Sequence, residues 1–195
     1  MFLYGASGHA KVIMDILQAL DIEVEGLFDD NPKVNMLSGM PVRHDYQGEN
    51  PVIFSIGSNR VRKMLDERWH VAYGTAIHPS AIVSPTASVG EGSVVMQGAV
   101  LQTEVTVGRH CIINTGATID HECRIGDYVH ISPNATICGD SEVGEGTWIG
   151  AGSTVIQCVK IGKWSVVGAG SVVIHDIPDG VLVVGNPARI VRRLV

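Results

Sequence analysis

His121 and Glu122 stand side by side in TIDHECRIG, residues 118–126, where nearly everything else looks like repetitive packing. An imidazole titrates near neutral pH, and a neighbouring carboxylate orients the ring and stabilises its charged form. That pair suits a general base that takes a proton from an attacking amine or hydroxyl. The bland alternative is a solvated turn. Against it, Glu104, Glu122 and Asp140 recur every eighteen residues. Such a ladder of like charges costs energy unless something binds it, and its field raises the basicity of a nearby imidazole. His130 follows, alone among apolar neighbours. An acceptor activated this way would attack a thioester carbonyl directly, and an amide with glycine freedom, such as that of Gly139, would steady the oxyanion. Cysteine nucleophiles fit less well: Cys111 and Cys123 read as core, and Cys138 faces outward without a base beside it.

These residues sit in a repeat that must position them. From Ile77 to Val173 every sixth residue is aliphatic, and four places after each the side chain is mostly small, as at Ala81, Ser93, Ala99, Cys111, Ala117 and Ser153. Neither a helical period of 3.6 nor a strand period of 2 gives a strict six, whereas a hexapeptide parallel β-helix does. Gly90, Gly108, Gly126, Gly144 and Gly162 add a period of eighteen. Three hexads therefore make one triangular coil, and coils stack at the strand spacing of about 4.8 Å. His121 and Glu122 then fall at a corner of the prism and project outward.

Strand alternation makes the three faces different. The first shows Val94, Met96, Ile112, Trp148 and Val166 around His130; the second Thr118, Asp120, Thr136 and Thr154; the third Arg124, Glu142 and Lys160 beside glycines. An apolar column of that height is not normally left in water. It is expected to be buried against another copy in a threefold ring, the alternative cover being the N-terminal domain.

Residues 1–74 have another character. FLYGASGHAKVIMDILQAL reads as strand, glycine turn and amphipathic helix; VEGLFDDN and PVIFSIGSN read as strands, and VRKMLDERW as a second helix. The alternation predicts a small Rossmann-like βαβαβ domain with a parallel sheet, Met36 to Asn50 being an irregular connection. Ligands of such sheets sit at the carboxyl ends of the strands. There Ser7, Gly8 and His9 open a helix whose amides can receive a phosphate, Asp29 and Asp30 can accept hydrogen bonds from ribose or base, and Gly57 lets backbone approach a ligand. As a set they point to nucleotide binding. NAD fits poorly, because the domain is too small for a two-halved dinucleotide fold and no residues for hydride chemistry follow.

Composition narrows the classes. The 195 residues carry a net charge of -6, with 45% apolar and 17% charged residues, and no basic stripe. Nucleic acid and membranes are therefore not expected as partners. No apolar run approaches the roughly 20 residues that span a bilayer, and the N-terminus lacks a secretory pattern, so a cytoplasmic location is expected. The four cysteines form no CxxC pair.

From YGASGH at the start to VGNPAR at the end, the chain resembles the nucleotide-linked amino-sugar N-acetyltransferases, often grouped with the sialic-acid O-acetyltransferases among the hexapeptide-repeat acyltransferases. The resemblance implies a fold of α/β plus all-β type: residues 1–74 bind the nucleotide sugar, and residues 75–195 form a left-handed parallel β-helix with a C-terminal tail. The left hand comes from the resemblance alone, since parallel crossovers are right-handed in about 98% of cases. It implies acetyl-CoA as cosubstrate and no metal, and in the homotrimer expected from the apolar face the active site would lie at a junction between subunits. The family's His-Glu motif matches His121 and Glu122 as catalytic residues. Its acetyl-CoA positions fall on His130, Gly139, Ala151 and Ala169, and its nucleotide-sugar positions on Ser7, Gly8, His9, Asp29, Asp30 and Gly57. The expected reaction is acetyl transfer to the amine of a nucleotide sugar, a UDP-4-amino sugar by this resemblance. Arg189 in the tail could meet a CoA phosphate or be a solvated charge.

Three rivals stand beside this reading. The acceptor could be a sugar hydroxyl, as in a sialic acid. A metal lyase would need His110, His121 and His130 to share a site, although they occupy different places in their hexads. A non-enzymatic nucleotide-binding scaffold would leave the acid ladder around His121 unexplained.

Overall fold

The computed structural model describes residues 1–194, so Val195, the last residue of the expected second domain, lies outside them. The chain starts with β1 (Phe2–Tyr4), α1 (Gly8–Ala19), β2 (Gly26–Phe28), β3 (Met36–Leu37), β4 (Met40–Arg43), β5 (Val52–Phe54) and α2 (Asn59–Arg68). The sheet order is β3-β4-β2-β1-β5. In α1, Ala10, Ile13, Ile16 and Leu17 form one buried stripe that packs with Leu3, Leu27 and Ile53 of the central strands.

One sequence expectation is corrected here. The stretch Met36–Asn50 is not wholly irregular: β3 and β4 form an antiparallel hairpin, and β4 pairs in parallel with β2. Ser38 and Gly39, at φ 48° and 80°, are both left-handed, the backbone that a two-residue hairpin turn requires. The sheet is therefore mixed rather than purely parallel, and β4 covers what would otherwise be an open edge of β2.

From Ala76 onward the chain is a β-helix of two-residue strands, each paired in parallel with the strand eighteen residues on, as Thr118 with Thr136 and Thr154. The first face holds eight strands, including Val181–Val184 and the antiparallel tail strand Arg189–Arg193; the second holds six and the third five. The aliphatic residues of the repeat and its small residues fill one continuous interior. Buried hydroxyls are satisfied across coils, Ser93 Oγ donating to the Gly108 carbonyl at 2.8 Å and Ser153 Oγ to that of Gly168 at 2.9 Å.

The first face divides. Val94, Met96 and Ile112 are buried in the same core as Leu3 and Ile13, so the N-terminal unit covers the early coils. Cover by another copy over the whole face is thus corrected, and the cause is the short connection. Tyr73 pairs with Val52, and Gly74 accepts from the Gly92 amide, which folds the sheet back onto the coils. In the later coils Trp148 is 48% exposed and the face stays open.

Helix α2 fastens the two halves along the corner that precedes the first face. Asn59 Nδ2 donates to the carbonyls of Gly146 (3.0 Å) and Thr147 (3.2 Å), and Lys63 pairs with Glu145 at 2.9 Å. Asp66 lies 3.2 Å from both Arg109 and the buried His110, and it accepts the Tyr128 hydroxyl. His110 is stacked between Phe54 and Tyr128. It belongs to this joint and not to a metal site.

Candidate active site

Three places carry the residues expected from sequence. At the corner between the second and third faces, His121 and Glu122 are exposed, and the imidazole Nδ1 lies 2.9 Å from Glu122 Oε2. Glu122 has φ 60°, a left-handed residue that turns the chain and sets its carboxylate beside the ring. The pKa of His121 is raised above its ordinary 6.5, first by the Glu122 bond, then by Asp120 and, among lesser causes, the Asp140 charge. The acid ladder is partly compensated, because Arg124 reaches Asp140 at 3.7 Å and Glu142 at 2.8 Å.

Gly139, one coil on, is buried directly under the imidazole. A Cβ there would lie 2.5 Å from both Cε1 and Nε2 of His121. The ring fills the space that any other residue would need. Cysteine chemistry finds no support at this corner, since burial raises the thiol pKa of Cys123 and of Cys138.

The second place is an apolar trough of about 470 Å³ at the corner between the first and second faces, bounded by His130, Pro133, Trp148, Ala151, Val166 and Ala169. His130 stacks on Trp148 with ring centroids 5.6 Å apart, and its Nε2 lies 3.1 Å from Asn114 Nδ2. The trough therefore gathers His130, Ala151 and Ala169, but Gly139 is with His121. In one chain the second face, through Thr118–Ile119 and Thr136–Ile137, separates the two places.

The third place is the carboxyl edge of the small sheet. Gly5, at φ 108°, approaches Ser55 and Ile56 so closely that a Cβ would meet Ile56 at 2.5 Å. The glycine turn and the loop after β5 are thereby packed together, Ser55 Oγ donating to the Gly5 carbonyl at 2.6 Å. Asp29 accepts from the amides of Ala6 (2.7 Å) and Asn31 (2.8 Å), so it shapes the turn, while Asp30 accepts from the Tyr4 hydroxyl. Ser7, Gly8 and Gly57 are exposed, and added Cβ atoms at Gly8 and Gly57 would meet open space. Burial, then the Arg62 charge, lowers the pKa of His9 to about 4 and that of His130 to about 3, with His9 a further cause at His130. His9 and His130 thus share a neutral neighbourhood where the sheet meets the first face.

Residues 1–68 match the model for the PglD N-terminal domain, and residues 104–139 and 140–175 match the bacterial transferase hexapeptide (six repeats). A solved perosamine N-acetyltransferase from Caulobacter crescentus, a histidine-to-asparagine variant with CoA and GDP-perosamine bound, is 38% identical. It superposes with a TM-score of 0.93, covering 97% of this chain and 95% of that one. The chain belongs to the PglD-like nucleotide-sugar N-acetyltransferases, with a hexapeptide-repeat β-helix. A second member of this kind, the acetyltransferase domain of PglB from Neisseria gonorrhoeae with acetyl coenzyme A, is 35% identical with a TM-score of 0.90, over 97% of this chain and 98% of that one. The UDP-N-acetylbacillosamine N-acetyltransferase of Bacillus subtilis is 44% identical over 104 residues, 47% of this chain and 48% of that protein. The chain spans about half, or less, of the length of the curated relatives it matches.

For this PglD-like transferase, sequence reasoning missed residues that the structure places among those expected. Arg62 holds the Gly57 carbonyl and is itself bonded to Asn59, although neither stands out in PVIFSIGSN or VRKMLDERW. Asp29 reads as a ligand acceptor but is already bonded to two amides. The one available signal was the run SNRVR directly after the glycine turn. Among the described residues no helix is long and apolar enough to cross a membrane, and no three His, Cys, Asp or Glu side chains converge where a metal ion would sit.

Proposed function

We propose that this transferase moves the acetyl group of acetyl-CoA to the amine of a nucleotide-linked amino sugar, a UDP-4-amino sugar in the first instance, by direct attack. The observation that carries this is the pairing of His121 Nδ1 with Glu122, which leaves Nε2 over Gly139 as the free basic nitrogen. Nε2 takes a proton from the amine as its nitrogen bonds to the thioester carbonyl carbon, and an amide such as that of Gly139 steadies the oxyanion. Collapse breaks the carbon–sulfur bond, and the imidazolium returns its proton to the departing CoA sulfur.

The first-face trough is apolar and open, which suits a pantetheine arm past His130, Ala151 and Ala169. Ser7, Gly8, His9, Asp30 and Gly57 would hold the nucleotide sugar, and Asp29 would act by shaping the turn. Since one chain separates trough and base, we assign the complete site to the junction of two copies in a ring of three, the His121 corner of one closing the trough of the next.

The test is thiol release from acetyl-CoA with matched UDP- and GDP-linked sugars carrying either an amine or a hydroxyl at C4. Release with the amino sugars alone is expected. Release with the hydroxy sugars alone would replace the reading by O-acetylation, and release with neither would remove it.

Two further results are expected. Ala169→Trp, filling the trough from an exposed position, should raise KM for acetyl-CoA about tenfold with KM for the sugar unchanged, as steady-state kinetics would show. Glu122→Gln should move the acid limb of the rate profile to lower pH. The sign follows from the base: His121 works when neutral, its pKa is raised chiefly by Glu122, and removing that charge lets the neutral ring persist at lower pH. The plateau should also fall, because the ring loses its orienting partner. An unmoved limb measured from pH 5 to 9 would count against His121 as the base.

A further inference from the structure

Arg62 is 1% exposed and, among the described residues, has no carboxylate partner. Burial lowers its pKa to about 10, so it remains a cation at neutral pH. A buried charge without a counter-ion is costly unless every donor is satisfied. Here the guanidinium donates to five oxygens. Nε reaches the His110 carbonyl at 2.8 Å; Nη1 reaches the carbonyls of Ile56 (2.9 Å) and Gly57 (3.1 Å); Nη2 reaches Asn59 Oδ1 (3.0 Å) and the Tyr128 carbonyl (2.9 Å). The planar fork of arginine fits such a set, and the compact ammonium of lysine does not.

The partners lie on two different bodies. His110 and Tyr128 are successive rungs of the β-helix corner before the first face, both left-handed at φ 51° and 58°, whereas Ile56 and Gly57 form the loop that leaves β5. A trans peptide points its carbonyl and N–H in opposite directions. With the Ile56 and Gly57 carbonyls drawn inward to Nη1, the N–H groups of Gly57 and Ser58 are turned away from the guanidinium, and both residues line a cleft with Asn59, Arg60, Trp148 and Trp164. Burial first, and this cation second, lower the pKa of both His9 and His130 where the two bodies meet.

We propose that Arg62 is a positioning residue for the acceptor substrate: it fixes the direction of the Gly57 loop and the seating of the nucleotide-sugar domain on the β-helix. This rests on the reading of that domain given under Proposed function. Arg62 touches no substrate in this account and acts through the backbone it holds.

The experiment compares wild type, Arg62→Lys and Asn59→Ala as full chains, with acetyl-CoA and the nucleotide amino sugar varied separately and melting temperature recorded for each. Arg62→Lys keeps the charge and loses the fork. It should raise KM for the nucleotide sugar about tenfold and leave KM for acetyl-CoA within about twofold. Asn59→Ala removes one acceptor of the guanidinium and the bonds to Gly146 and Thr147. It should show the same split at smaller size, and it serves where Arg62→Lys does not fold. A lower melting temperature with both KM values unchanged in the folded variant would overturn the proposal, as would equal rises in both. Wild type that acetylates none of the amino sugars overturns the parent reading and this one with it; wild type that does so while the variants keep the KM ratio overturns this one alone.

Discussion

Replacing His121 with alanine is expected to lower acetyl transfer at least about a hundredfold, because a positioned general base contributes roughly 10² to 10⁴ in rate. The fold should be unaffected. His121 lies on an exposed corner, and its structural bonds are made by its backbone: its amide donates to Asp120 at 2.8 Å, and its carbonyl accepts from the Asp140 amide at 2.9 Å. Both survive in alanine. The acid ladder should become more costly, since Glu122 loses its partner, but these groups are half exposed and solvent screens them. The measurement is kcat/KM by thiol release, with melting temperature and particle mass recorded on the same preparation. Turnover near that of wild type would reduce His121 to a turn residue, and the reaction would need another base. The two histidines where the sheet meets the first face are poor substitutes, since burial, then the Arg62 charge, lowers the pKa of His9 to about 4 and that of His130 to about 3.

The β-helix was legible because its period is written in the side chains that touch. An aliphatic residue every six and a glycine every eighteen are direct records of contacts between coils, so the repeat and the outward corner of His121 follow from spacing alone. What lay hidden was contact between unlike parts. Periodicity says that the first face is apolar but not what covers it, and the cover turned out to be the chain's own sheet over the early coils. The hairpin at Met36–Arg43 escaped because its strands are only two and four residues long and bury a single residue each, leaving Ser38-Gly39 as the strongest mark. Arg62 escaped for a related reason. VRKMLDERW has the charges of a solvated helix, and only the carbonyls of another body turn one of those arginines inward.

Gly139→Ala tests the geometry of the site more sharply than removal of the base does, because it leaves every catalytic group in the chain. Gly139 is not among the left-handed residues, so alanine imposes no backbone strain. Its methyl would instead meet the far end of the His121 side chain at 2.5 Å, and an exposed imidazole can swing aside at little cost to stability. It cannot do so and keep both its bond to Glu122 and the position of Nε2. A displacement of about 1 Å in a reacting group can lower a rate on the order of a hundredfold. The expected result is therefore a fall in kcat of that size with an unchanged melting temperature and little change in either KM. Gly57→Ala is the matched control, since its methyl meets open space in the free protein and acts only where substrate fills that space. It should raise KM for the nucleotide sugar while sparing kcat. If Gly139→Ala instead turned over like wild type, the imidazole would have to work from another rotamer, and the pairing with Glu122 seen here would be a resting arrangement unrelated to catalysis.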